Sequence, residues 1–229
     1  MEFKNTEVWG FKHALRGMRN PKDSWDKSDS EYWLPNKFME ENVIGEDIEW
    51  TPYHIGKNDM KLAQTLIKAG NEHCKFMRMI HVSADVDMPR YWWSEADTYH
   101  FNTKNSCSTM HKLLNRNTPI TLDMFVICEE DLDIAQIVVE RLEQLRQEYK
   151  SIQSTTKDNK EMNRLLLRAK RLLMEGFLQM RTWDTSYAEI RSMYFQRKHH
   201  RLEEEWVNTF CNWVESLPYS KELIIYEGE

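Results

Sequence analysis

The sequence predicts an α+β fold, a small sheet with long helices in its C-terminal half. Two patterns carry this. Between Ile80 and Met88 the apolar residues recur at every second position, the period of a half-buried strand. From Asp131 onward they recur at helical spacing through most of the remaining chain. Strands come early and helices late, which is an α+β order.

Taken in order, Glu7-Val8-Trp9-Gly10-Phe11 reads as a short first strand. Residues 12–35 mix a helical turn with loop, and Asn20-Pro21-Lys22-Asp23-Ser24 reads as a turn, because Asn-Pro favours turn initiation. Residues 40–56 read as a loop or short hairpin punctuated by Gly45 and Gly56. Asn58 caps a helix with Leu62, Leu66 and Ala69 on one face, and Gly70 is a break or a close packing point. In the next strand Ile80, Val82, Ala84, Val86 and Met88 share one face, while His81, Ser83, Asp85 and Asp87 take the other. Pro89 suits a first helical turn, so residues 89–98 read as helix.

Residues 101–110 are small and polar, a loop or an irregular helix start. Residues 120–127 are extended or lead into the next helix. That helix runs from Asp131 to about Lys150, with Ile134, Val138, Leu142, Leu145 and Tyr149 as its stripe. Residues 151–160 form a polar linker. Leu165, Leu166, Ala169, Leu172 and Leu173 make a second stripe, and residues 185–199 and 202–216 make two more.

Composition narrows the function. The 229 residues suit one domain spanning 1–229, large enough to bury a core without disulfide or metal staples. A 41% apolar and 30% charged chain is globular. With 31 Lys and Arg against 37 Asp and Glu, the net charge of −6 argues against coating a nucleic-acid polymer. No apolar run approaches the ~20 residues that span a bilayer, and the N-terminus lacks a signal-peptide pattern. Cys74, Cys107, Cys128 and Cys211 form no CxxC pair. No zinc site or disulfide framework is therefore expected, and a reduced cytoplasm is. Nine Trp and thirteen Met point to a core of large, adaptable side chains.

Three segments hold the residue types of a site. Phe101-Asn102-Thr103-Lys104-Asn105-Ser106-Cys107-Ser108-Thr109 sets hydroxyls and amides beside a lysine. Such a segment surrounds a phosphate or a pyrimidine edge, or is a solvated loop. Arg197-Lys198-His199-His200-Arg201 attracts an anion, or is a helix end with its charge suitably placed. Its adjacent histidines point to different faces, so no metal site is expected. Glu72-His73-x-x-Phe76 offers His73 to a cofactor, a proton or a core hydrogen bond. Cys107 shows no local cause for a lowered thiol pKa and reads as inert.

Together these segments resemble the flavin-dependent thymidylate synthases, the ThyX family. Glu72-His73-Cys74-Lys75-Phe76 matches its E-H-x-x-F element. Its signature R-H-R-x-x-S-x-N-x-x-S-x-R, laid on residues 98–110, meets Asn105 and Ser108 identically and Thr103 conservatively. Pro89 lies eleven residues before His100, also as in the family. Lys170, Ser186, Arg197, His200 and Glu205-Trp206 sit near the family's late motifs. The resemblance spans about residues 57–217. The segments 14–21 and 204–219 also resemble divergent members from gut bacteria and their phages.

The resemblance implies a homotetramer that binds FAD and dUMP at subunit interfaces. Such enzymes methylate dUMP with methylenetetrahydrofolate and NADPH. Ser108 would then be the catalytic serine beside the pyrimidine. Glu95, Lys104, Asn105 and Lys170 would join it in binding substrate. His73, His100, Ser186, Arg197 and His200 would contact the cofactor. Three family arginines fall on Thr98, His100 and Met110, which removes permanently charged forks suited to phosphate. Lys104, Lys112, Lys170 and Arg197 are the replacements at hand. The alternative is a noncatalytic descendant that keeps the fold and binds a nucleotide or a protein. The aromatics Tyr91-Trp92-Trp93 count toward this alternative, stacking on a flavin or base, or else they fill the core.

Overall fold

The computed structural model describes residues 1–32, 48–50 and 53–228. It is mixed helix and sheet, as expected. A five-stranded sheet has the order β3-β1-β5-β7-β6. Its strands are β1 (Glu2–Trp9), β3 (Ile48–Trp50), β5 (His81–Pro89), β6 (Thr103–Ser106) and β7 (Leu178–Ser186). β1 and β3 run parallel, with Thr6 opposite Ile48 and Val8 opposite Trp50. β2 (Glu31–Tyr32) and β4 (Tyr53–His54) form a separate antiparallel pair.

The chain divides into two compact units. A hairpin unit holds Asp87–Thr98 and Asn105–Arg181, with Met1. A terminal unit holds Glu2–Val86, Tyr99–Lys104 and Thr182–Glu229.

In the terminal unit β1 begins five residues earlier than its sequence suggests and stops at Trp9, because Gly10 turns the chain with φ +99°. Helix α1 (Phe11–Arg19) follows and buries Phe11, Ala14, Leu15 and Met18. Helix α2 (Lys57–Lys68) buries Asp59, Ala63 and Ile67, one position off the expected Leu62–Leu66–Ala69 face. Asn58 does not cap it. Asp29 does so from a distant loop, accepting hydrogen bonds from the backbone N–H groups of Asn58 and Asp59 at 2.9 and 3.1 Å. Of the expected 40–56 loop or hairpin, Gly45 and its neighbours lie outside the described residues. β5 alternates as expected, with Ile80, Val82, Ala84, Val86 and Met88 buried. Helix α7 (Tyr187–Arg197) follows β7. The chain ends through a π-helical stretch, Glu203–Cys211, and helix α8 (Asn212–Ser216). Phe3 stacks on Trp213 at 4.3 Å, and the indole N–H of Trp213 donates to Thr6 at 3.0 Å.

The hairpin unit is built on α5 (Leu132–Ser154) and α6 (Asn159–Leu172). The expected 151–160 linker is shorter than predicted. α5 continues to Ser154, and Asp158 starts α6 by accepting from the N–H groups of Lys160 and Glu161. The buried face of α5 is Ala135, Val139, Leu142 and Leu145. Ile134 stands 62% exposed, so the predicted stripe holds only in its later half. Leu165, Leu166, Ala169 and Leu173 pack with Leu113, Leu114, Ile120 and Phe125 in one core. Leu172 is exposed. Pro89 is the cap of α3 (Arg90–Ala96), on which Trp92 and Trp93 are fully buried. They are core residues, and the Trp93 indole N–H donates to the carbonyl of Gln179 at 2.8 Å. Residues 101–110 are more ordered than a loop: β6 precedes α4 (Thr109–Lys112). Among the described residues no helix is long and apolar enough to cross a membrane.

Candidate functional site

Each unit carries a cleft. That of the terminal unit has a volume of about 900 Å³, within the range of small-molecule sites. Its wall comes from the turn after α2 (Asn71, Cys74, Met77, Arg78), the start of β5 (His81), residues 100–103, and the junction of β7 with α7. At that junction Ser186 caps α7, its hydroxyl accepting from the N–H of Glu189 at 3.4 Å. Asp184 accepts a 2.8 Å hydrogen bond from Ser83, and its other oxygen lies 3.8 Å from Nδ1 of His81. The His81 ring stacks on Trp9 at 5.5 Å. Arg78 sits 5.7 Å from the ring of Phe101, which is 73% exposed. Arg191 donates to the carbonyls of Leu223 and Ile224, and burial lowers its pKa.

A cleft of the hairpin unit is smaller, about 410 Å³. Ser108 caps α4, accepting from the N–H of His111 at 3.3 Å. That leaves the serine proton free to donate. Cys107, Thr109, Lys112, Arg116, Asp123 and Gln179 share the wall. Lys170 donates to the hydroxyl of Thr109. Burial, then the charge of Arg90, lowers the Lys170 pKa. Gln179 fixes the loop by donating to the carbonyl of Cys107 at 2.9 Å.

The sequence matches no family model and no curated protein. The structure has clear likenesses. It superposes on a flavin-dependent thymidylate synthase ThyX from Helicobacter pylori complexed with FAD and dUMP. The TM-score is 0.66 at 14% identity, over 98% of each chain. A second structure of the Helicobacter pylori enzyme, also with FAD and dUMP, gives the same score and identity over 98% of this chain and 97% of that one. The fold is that of the ThyX thymidylate synthases.

On this ThyX fold the nominated residues separate. His100 and Ser186 line the terminal-unit cleft. His73 is exposed in the turn beside it, and its neighbours Asn71 and Cys74 supply the wall instead. Arg197 and His200 belong to the same unit and are absent from that wall. Arg197 is held 4.5 Å from the ring of Trp206 and donates to the Tyr99 hydroxyl at 3.0 Å. His200 turns Nδ1 to the N–H of Leu202 at 3.2 Å. The run 197–201 is therefore taken apart, and Lys198 pairs with Glu227.

In the hairpin unit Ser108 lines the cleft and Lys170 is bonded to its wall. Asn105 stands exposed on β6, and Glu95 half-buried on α3, both apart from that wall. Lys104, also on β6, belongs to the terminal unit. Thr98 and Met110, at family arginine positions, are exposed. Sequence reasoning missed Asn71, Arg78, His81, Asp184, Glu189 and Arg191. His81 was the most accessible of these, since it leads the polar face of the one strand whose alternation was plain.

Proposed function

We propose that this chain is a flavin-dependent enzyme of ThyX type acting on dUMP or a related pyrimidine nucleotide. What supports the reading is the partition of residues nominated from sequence. His100 and Ser186 share one cleft, and Ser108 another, with Lys170 bonded to its wall. The terminal-unit cleft suits a flavin: it has the volume, two aromatic rings in Phe101 and Phe195, and many hydrogen-bonding side chains. Among them a buried carboxylate, Glu189, lacks a partner among the described residues. His100, Ser186, Asn71 and Asn102 would hold the flavin, which supplies hydride chemistry when bound.

In the hairpin unit the Ser108 hydroxyl would orient the pyrimidine. Lys112, Arg116 and Lys170 would offer positive charge to its phosphate in place of the absent arginines. NADPH and methylenetetrahydrofolate would be the co-substrates, and a homotetramer the assembly. The four free cysteines suit a cytoplasmic protein.

A second reading, a noncatalytic nucleotide binder, draws on Thr98 and Met110. Neither can replace a guanidinium, and each lost charge-assisted hydrogen bond removes about 1.5–3 kcal/mol.

The absorption spectrum of protein purified without added cofactor tests the first reading, repeated after FAD soaking and desalting. Retained flavin bands lead to a dUMP-dependent assay, in which Ser108→Ala should lose turnover while its melting temperature holds. A colourless protein stabilised by a nucleotide alone supports the binder.

A further inference from the structure

Glu189 sits in the first turn of α7 and is 9% exposed, on the wall of the terminal-unit cleft. Its backbone N–H is used by the Ser186 cap. Its carboxylate has no hydrogen bond or ion pair among the described residues. The cation nearest in sequence, Arg191, is directed to the carbonyls of Leu223 and Ile224 and to the ring of Phe195. Asp184, just before the cap, is occupied by Ser83 and faces His81.

A buried carboxylate is costly unless something donates to it. Here the carboxylate oxygens open onto the cleft, where water or whatever else fills it donates to them. The location adds a second constraint. A helix N-terminus ordinarily attracts a ligand anion through its free N–H groups and its dipole. At α7 that place is taken by a negative charge of the chain itself, which repels a phosphate.

We propose that Glu189 is a ligand-contacting residue that selects the occupant of this cleft. Its carboxylate accepts hydrogen bonds from an uncharged, donor-bearing group and turns phosphate away from the start of α7. The donors are either the hydroxyls of a ribityl or ribose chain or the N–H edge of a ring. The inference rests on the flavin reading above.

The test is a set of fluorescence titrations of the full chain with riboflavin, FMN and lumichrome, the last keeping the ring but lacking the ribityl chain. Wild type should bind FMN no more tightly than riboflavin. Glu189→Gln, nearly isosteric, should weaken riboflavin by about 10- to 100-fold. The ligand-free variant should melt at nearly the same temperature, because only the attraction of one charge to the start of α7 is lost. If lumichrome is weakened equally, the donors are on the ring. If lumichrome is unaffected, they are the ribityl hydroxyls.

Equal riboflavin affinity in wild type and Glu189→Gln overturns the inference and leaves the flavin reading standing. A lower melting temperature with unchanged affinity does the same, by making Glu189 structural. Should the variant not fold, tighter binding of FMN than riboflavin by wild type overturns the inference on its own. If wild type binds none of the three, the flavin reading fails and takes this inference with it.

Discussion

The guanidinium of Arg19 donates to the carboxylate of Asp59 at 2.5 Å, and the two residues are 5% and 0% exposed. Ser28 and Ser30 donate to the other oxygen of Asp59. Arg19 also reaches the carbonyls of Ser24 and Lys27. One ion pair thus fastens α1, α2 and the loop of residues 24–30. Breaking a buried pair from one side leaves the other charge unmatched, so Asp59→Ala should cost about 3–5 kcal/mol in urea unfolding. The double variant with Arg19→Ala should cost less than the sum of the two singles.

A pH dependence follows from Glu143. Hydrogen bonds from Arg146, joined by the Ile120 N–H and Gln147, hold its carboxyl at about 2 against burial, where 4.5 is ordinary. The folded value lies below the unfolded one, so the stabilisation is fully present above pH 4.5 and is lost as pH falls toward 2. Glu143→Gln should lose about 1–3 kcal/mol at neutral pH. Its unfolding free energy should also flatten across that acid window, as measured by denaturation at several pH values.

Gly10 and Gly70 both have left-handed backbone, yet they should tolerate alanine differently. A Cβ at Gly10 would lie 2.1 Å from the carbonyl oxygen of Met79. A Cβ at Gly70 would meet nothing within 4 Å. Gly70→Ala should cost only the backbone penalty, about 1–2 kcal/mol. Gly10→Ala must also displace backbone, and thermal melting should rank it clearly below Gly70→Ala.

Arg197 lies against the rings of Trp206 and Tyr99. Lysine lacks the planar group that makes this stack. Arg197→Lys should lose about 0.5–2 kcal/mol in urea unfolding, and Trp206→Leu should remove most of the difference between the two side chains.

Regular alternation made β5 legible: nothing competes with a run such as Val82-Ser83-Ala84-Asp85-Val86 for a half-buried strand. β7 was hidden because its residues, Leu178-Gln179-Met180-Arg181-Thr182, are mostly not strand formers and their ordering comes from pairing. α2 was found with its face displaced, because burial of Asp59 depends on Arg19, forty residues away. The same holds for its cap, supplied by Asp29. Of the residues that motif spacing nominates, Ser108, His100 and Ser186 lie on cleft walls. Asp184 and Glu189 were not nominated, since nothing in a sequence tells a carboxylate on a cleft wall from a solvated one. The 197–201 run erred the other way, its apparent charge density dissolving into a ring stack, a hydrogen bond to the Leu202 N–H and an ion pair.

The cysteines give the protein a built-in reporter. Cys74 and Cys211 are buried, and burial pushes both thiols up, Cys211 to about 12. Cys107 and Cys128 are exposed, and Cys107 lines the same cleft as Ser108. With Cys128 replaced by serine, a maleimide dye would attach at a single place. If the hairpin-unit cleft takes a nucleotide as proposed, a change in the dye's emission on adding dUMP would report it, with no need for the protein to turn anything over.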